Sequence, residues 1–286
     1  MLYVSTACVS HNRIADTINE YANNGIKSIE LSGGTDYYHT IEQDLISLQK
    51  QYQLTYVCHA YFPPHVNPIV VNLASCNDKI YKDSISHYEQ CIDMLNKIKC
   101  NVLSIHAGFL VEVGAEEIGK KLSRTVIYEE KEAYERFAAA YQKIGEWCRQ
   151  SDISFYLENN VLSLENYKEF GNQNYMMMTD YRLYKKMTEY IDFNLLLDVG
   201  HLYVSCNTLN LDFKDEFNKL KANAKWFHIS DNNGIVDQHK PLQENSWVLD
   251  VLKDIKNLRD YDMTLETAGT VTNVIESMEK IEKIVL

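Results

Sequence analysis

Ser154-Phe155-Tyr156-Leu157-Glu158 and Asn194-Leu195-Leu196-Leu197-Asp198 are two short β-rich runs that each close on a carboxylate, with the amphipathic stretch Tyr181–Tyr190 between them. Strand, helix and strand in that order predict parallel pairing through a crossover. The same alternation continues outward from this pair to both ends of the chain. Further runs stand at Leu2–Ser5, Ser28–Leu31, Thr55–His59, Val102–His106, Trp226–Ser230 and Met263–Glu266, which makes eight, and further helical patterns at Ile14–Asn23, Asp83–Ile98 and Lys131–Arg149. Eight such repeats predict an α/β protein of the (β/α)8 TIM barrel class, with residues 1–286 as a single domain. A doubly wound open sheet is the alternative. No GxGxxG follows the first run, which removes the usual dinucleotide-binding argument for it.

Composition bounds the rest. With 45% hydrophobic residues, 24% charged residues and only 4 prolines, the chain can bury a substantial core, and a globular rather than a disordered chain is expected. No apolar run approaches the roughly 20 residues of a membrane helix, so no membrane partner is expected. Met1-Leu2-Tyr3-Val4-Ser5 has neither a basic nor an apolar leader region, which predicts a cytoplasmic protein. Seven cysteines without a CxxC pair predict reduced thiols. A formal net charge of -12 disfavours passive attraction to nucleic acid, although bound metal would alter the local field.

The polar residues fall where they bear on function. His59, His106, Glu158, Asp198 and Glu266 end their runs, and His228 lies within Trp226-Phe227-His228-Ile229-Ser230-Asp231. Each follows apolar or β-branched residues, so each should emerge at the C-terminal face, where barrels of this kind build active sites. His201 lies three residues after Asp198, and Asp237 and His239 follow the seventh run. One strand-end histidine is most often structural; imidazoles and carboxylates at six strand ends are a different matter. Without cations, Glu158, Asp198, Asp237 and Glu266 should repel and raise one another's pKa. Bound divalent metal removes that penalty, and a mixed His/Asp/Glu shell suits Zn, Mn, Fe or Co, from one to three ions.

These segments resemble the xylose isomerase-like barrel superfamily, which includes endonuclease IV-type AP endonucleases (AP endonuclease family 2) and sugar isomerases and epimerases. The resemblance is carried by Ile29-Glu30-Leu31-Ser32-Gly33-Gly34, Cys58-His59-Ala60-Tyr61, Ser104-Ile105-His106-Ala107-Gly108, Tyr156-Leu157-Glu158-Asn159, Leu197-Asp198-Val199-Gly200-His201, His228-Ile229-Ser230-Asp231-Asn232, Asp237-Gln238-His239 and Leu265-Glu266. It implies two alternatives. The endonuclease IV pattern implies three zinc ions: one on His59, His106 and Glu158; one on Glu158, Asp198, His228 and Glu266; one on His201, Asp237 and His239. Such a site suits phosphodiester hydrolysis, of nucleic acid or a smaller diester. The sugar-enzyme pattern implies one ion on Glu158, Asp198, His228 and Glu266. Glu158 and Glu266 would then move a proton at a carbon beside a carbonyl, and His201 would orient the substrate.

The full set of nine ligands favours the hydrolase, and the details favour the sugar enzyme. Asp198-Val199-Gly200-His201 and Ser230-Asp231-Asn232-Asn233 replace the Asp-Thr-Cys-His and Asn-Asp-Ser-Lys usual in AP endonucleases. After Pro241, Leu242-Gln243-Glu244-Asn245 lacks the usual glycine, and the acidic chain lacks a basic footprint for duplex DNA. The expectation is therefore a metal-dependent isomerase or epimerase of a small sugar, as a possible homo-oligomer. Tyr61-Phe62-Pro63-Pro64-His65 is expected either to wall the pocket or to form a rigid loop, Gly33-Gly34 to make a turn, and Trp247 and Met176-Met177-Met178 to pack.

Overall fold

The structure is a computed structural model that describes residues 1–117, 121–123 and 126–285. Its strands are β1 (Leu2–Ser5), β2 (Ser28–Leu31), β3 (Thr55–His59), β4 (Val102–His106), β5 (Ser154–Glu158), β6 (Asn194–Asp198), β7 (Ala224–Ile229) and β8 (Asp262–Leu265). They pair in parallel in chain order, and β1 also pairs with β8, so the sheet closes as the predicted eight-stranded barrel. Around it run α1 (Ile14–Asn23), α2 (Ile41–Tyr52), α3 (Asp78–Lys97), α4 (Glu130–Gln150), α5 (Leu164–Glu169), α6 (Tyr181–Met187), α7 (Val199–Leu209), α8 (Phe213–Lys221), α9 (Trp247–Lys253) and α10 (Val271–Val285). None of the described helices is long and apolar enough to cross a membrane.

Helical spacing explains how the outer layer docks. In α4 the buried residues Ala133, Tyr134, Phe137, Ala140, Tyr141, Ile144 and Cys148 recur at three- and four-residue steps and make one stripe. Each large side chain buried in such a stripe contributes about 1.5–3 kcal/mol. The seven cysteines are all free thiols. Met177 and Met178 are buried in the core, as expected. Trp247 also packs: its ring lies 4.0 Å from that of Tyr203, and its indole N–H donates to the Asn232 carbonyl at 3.2 Å.

Inside the barrel, alternation along the strands stacks two chemically different layers. Tyr3, Val57, Leu196 and Trp226 form a buried apolar floor, with Val102 and Tyr156 packed against it. Two residues further along their strands stand His59, Asp198, His228 and Glu158, on the same inner face and one layer nearer the C-terminal end. The register sets His106 beside Glu158, and Asp198 beside His228.

Several boundaries differ from the sequence reading, two of them for an identifiable local reason. Helix α3 begins at Asp78 rather than Asp83, because the Asn77 side chain caps it by accepting from the Lys79 and Ile80 amides. Strand β7 begins at Ala224 rather than Trp226, because an irregularity between Leu195 and Leu196 admits the extra residue Lys225. Helix α6 ends at Met187 rather than Tyr190.

Candidate metal centre

All nine predicted residues converge at the C-terminal mouth, in overlapping sets. His59, His106 and Glu158 form one set, Glu158, Asp198 and His228 a second, and His201, Asp237 and His239 a third; within each, ligand atoms lie within 4.8 Å of one another. Glu266 reaches the second set, its Oε2 lying 3.5 Å from His228 Nδ1. Glu158 is the common member, with Oε2 3.1 Å from His59 Nε2 and Oε1 3.4 Å from His228 Nδ1.

Four of the imidazoles are oriented from behind. His59 Nδ1–H donates to Ser104 Oγ at 2.8 Å, and that hydroxyl donates in turn to the Cys58 carbonyl at 3.3 Å. His201 Nδ1–H donates to the Asn159 carbonyl at 2.9 Å, and His239 Nδ1–H to the Glu266 carbonyl at 3.0 Å. His228 Nε2–H donates to Glu30 Oε2 at 3.1 Å. Each ring therefore spends one nitrogen on an outer acceptor and turns the other inward, the arrangement that fixes the tautomer of metal-ligating histidines. His106 differs: its Nε2 lies 3.2 Å from His59 Nε2, and its Nδ1 3.3 Å from Glu158 Oε2.

Backbone detail completes the set. Asp198 caps α7, its Oδ1 accepting from the His201 amide at 2.6 Å, so the strand end and the first helical turn present Asp198 and His201 together. Asp237 and His239 sit on a loop stapled by paired amide–carbonyl bonds between Asp231 and Lys240. His239 itself has a left-handed backbone, with φ of 47°. The Asp237 carboxylate Oδ2 lies 3.1 Å from His201 Nε2 and 2.8 Å from His239 Nε2.

The donors suit a cation. Both Glu158 carboxylate oxygens, Asp198 Oδ2, Asp237 Oδ1 and His228 Nδ1 are buried and make no hydrogen bond. Leaving such groups unsatisfied costs about 1–3 kcal/mol each, a cost that a divalent ion ligated by them removes. The electrostatics corrects one expectation. Of these four acids only Asp198 has its carboxyl pushed up, to about 7, by burial and then by Asp237, Glu158 and Glu266 against the opposing pull of His201. Burial also opposes ionisation of Glu158, Asp237 and Glu266, but interleaved imidazoles outweigh it and hold all three below the usual range. Conversely, burial opposes the charged forms of His201 and His228, yet their carboxylate neighbours lift both well above the ordinary value. His239 rises in the same way, to about 9, chiefly through Asp237. Burial dominates at His59, whose imidazole falls to about 3.

Glu30 is the residue that sequence reasoning missed. It is 1% exposed, it accepts from both His228 and the Thr264 hydroxyl (2.9 Å), and Trp226 Nε1–H donates to that hydroxyl at 3.0 Å. Its signal was a lone acid inside an otherwise β-rich run.

A cavity of about 540 Å³ opens over His59, His106, His201, His239 and Glu266. Tyr61, Pro64 and His65 line it while Phe62 is fully buried, so the Tyr61–His65 segment both walls the pocket and packs. Gly34 has the positive φ of a turn (99°), whereas a Cβ on Gly33 would sit 2.9 Å from Tyr61 Cβ. Among the described residues no lysine or arginine lines this cavity. An adjoining cavity is lined by Lys121, whose ammonium pairs with Glu169 at 3.0 Å.

Residues 18–284 match the family described as xylose isomerase-like TIM barrel. The chain belongs to that family. Among solved structures, a D-tagatose 3-epimerase-like protein superposes with a TM-score of 0.73 at 18% identity, covering 99% of this chain and 96% of that one. The D-psicose 3-epimerase of Clostridium cellulolyticum H10, solved with D-tagatose, gives 0.64 at 12% identity, covering 99% and 95%. Endonuclease IV from Thermus thermophilus gives 0.60 at 14% identity, covering 99% and 98%. At these identities the likeness is one of fold, and xylose isomerase-like barrels of both chemistries share it. No curated protein matches the sequence at a significant level.

Proposed function

We propose that the protein is a metal-dependent isomerase or epimerase of a small sugar or sugar derivative. The observation that carries this reading is the pair of carboxylates Glu158 and Glu266. Both approach His228 Nδ1, at 3.4 and 3.5 Å, beneath a cavity of sugar size without a lining lysine or arginine among the described residues. A divalent ion held by Glu158, Asp198, His228 and Glu266 would polarise a carbonyl and acidify the neighbouring C–H.

The protein groups then supply the proton traffic. Glu158 and Glu266 are ionised at neutral pH, so either can remove the proton on the carbon beside the carbonyl. The C–H electron pair is delocalised toward the carbonyl oxygen. Return of a proton to the opposite face of that carbon gives the epimer, and return to the neighbouring carbon gives the isomer. His201, anchored by Asn159, is the group to hold a substrate hydroxyl.

A second reading, hydrolysis of a phosphodiester, is favoured by one observation: the stapled loop that brings Asp237 and His239 to His201. Asp237 and His239 have no required place in a single-ion proton transfer. Elemental analysis of protein purified without chelator separates the two. About one ion per chain, with solvent deuterium entering the C–H of ketoses or aldoses, supports the sugar enzyme. About three zinc ions per chain, with cleavage of bis(p-nitrophenyl) phosphate or abasic DNA and no C–H exchange, would overturn it. Asp237→Ala sharpens the choice, because only the hydrolase reading loses all activity with it.

A further inference from the structure

Two histidines outside the ligand set face the same cavity. His65, in the loop after β3, and His87, on α3, both line it. His65 Nε2 and His87 Nδ1 are 2.8 Å apart, with ring centroids 5.0 Å apart. His87 is 1% exposed, and its Nε2 is buried without a hydrogen-bond partner.

The chemistry of such a pair is distinctive. One imidazole donates its N–H to the other, so one N–H and one lone pair are left over at the two outer nitrogens. If His65 donates, His87 Nε2 keeps a proton and His65 Nδ1 keeps a lone pair; if His87 donates, the roles exchange. In either state the pair offers one donor and one acceptor. The two outer nitrogens point away from each other, and a polyol hydroxyl can meet whichever one it reaches, as donor or as acceptor. A phosphate dianion accepts only and can meet only the tautomer that presents an N–H.

We propose that His65 and His87 form a distal subsite that hydrogen-bonds the hydroxyl-bearing end of an unphosphorylated polyol or sugar. This rests on the sugar reading and deepens it, because it selects the neutral substrate over its phosphate ester. Burial keeps both rings neutral: it lowers His65, and it lowers His87 to about 3, with His65 contributing. Neither ring therefore supplies the positive charge that a phosphate group would demand.

The test uses sorbitol, which has no carbonyl and cannot turn over, and sorbitol 6-phosphate. Both are titrated calorimetrically into manganese-loaded full-length protein, with metal content checked in every sample. The wild type is expected to bind sorbitol at least as tightly as the phosphate. His65→Phe should weaken sorbitol about tenfold, while His87→Gln, which keeps a donor and an acceptor, should stay within about threefold. Absent sorbitol binding, unchanged affinity in His65→Phe, or tighter binding of the phosphate would each overturn the proposal. Should His65→Phe fail to fold, the imidazole 15N resonances of wild-type His65 and His87 decide: they must shift on adding sorbitol, and unmoved signals refute the subsite. If polyol binding depends on His65 but no sugar exchanges its C–H, the subsite stands and the isomerase reading falls.

Discussion

Replacing Glu30 by glutamine keeps the volume behind His228 and removes the charge. In the native protein Glu30 Oε2 accepts from His228 Nε2 at 3.1 Å and from Thr264 Oγ1 at 2.9 Å. The first of these is charge-assisted and contributes about 1.5–3 kcal/mol. The glutamine amide would also place an N–H near Glu30 Oε1, a buried position with no hydrogen-bond partner. His228 would then be held less firmly with Nδ1 turned inward, and its ring would be a weaker donor. Loss of such an outer carboxylate typically lowers metal affinity about 10–100-fold, equivalent to about 1.4–2.8 kcal/mol, in line with the hydrogen-bond figure. Competition against a fluorescent chelator measures this directly, with circular dichroism to confirm the fold. A folded Glu30→Gln protein that binds metal within twofold of wild type would refute the reasoning.

Three further outcomes are expected. The metal-free protein should lose stability as pH falls below about 6.5, in part through His87. The unfolded imidazole takes up a proton there, whereas the folded one waits until about 3, so the contribution is full above 6.5 and lost on acidification. Between pH 7.5 and 5 this group accounts for about 2 kcal/mol, and His87→Gln should flatten the curve of melting temperature against pH; parallel curves would exclude it. Ser104→Ala removes the partner of His59 Nδ1 and should weaken metal at His59, His106 and Glu158 about tenfold while sparing the ion at Asp198 and His228, as read by metal content at limiting metal. Gly108→Ala should destabilise by about 1–3 kcal/mol in chemical denaturation, since its Cβ would lie 2.6 Å from Ala74 Cβ and 3.0 Å from Asn72 Oδ1.

The ligand layer was legible because two periodicities coincide. Strands alternate inward and outward, and parallel barrels gather strand ends at one mouth, so an acid or imidazole closing an apolar run is already located. Glu158 and Asp198 were readable on that logic, as was the barrel itself. Glu30 was not, since it lies before the last residue of its strand and meets His228 across 198 positions of sequence. Only closure of the sheet, with Ser5 beside Glu30 and Glu30 beside Val57, turns it under the ligands. The His65–His87 contact was hidden in the same way, one partner in a loop and the other within an amphipathic helix whose polar residues read as solvated. Mutual repulsion among the four carboxylates failed as an expectation because charge counting ignores order in space: imidazoles stand between the acids, and Asp198 alone is left with an excess of acidic neighbours.

The His239 peptide is tied to the strand that follows it. Its carbonyl accepts from the Ala268 amide at 2.6 Å, while its ring donates to the Glu266 carbonyl at 3.0 Å. The loop that carries Asp237 and His239 therefore cannot shift without dragging the backbone that bears the Glu266 side chain. Anything that draws the loop inward re-aims that carboxylate, and a ligand seated on Glu266 pulls back on the loop with equal thermodynamic force. Occupancy at one end of the mouth should thus tune affinity at the other by a common factor, whichever is filled first.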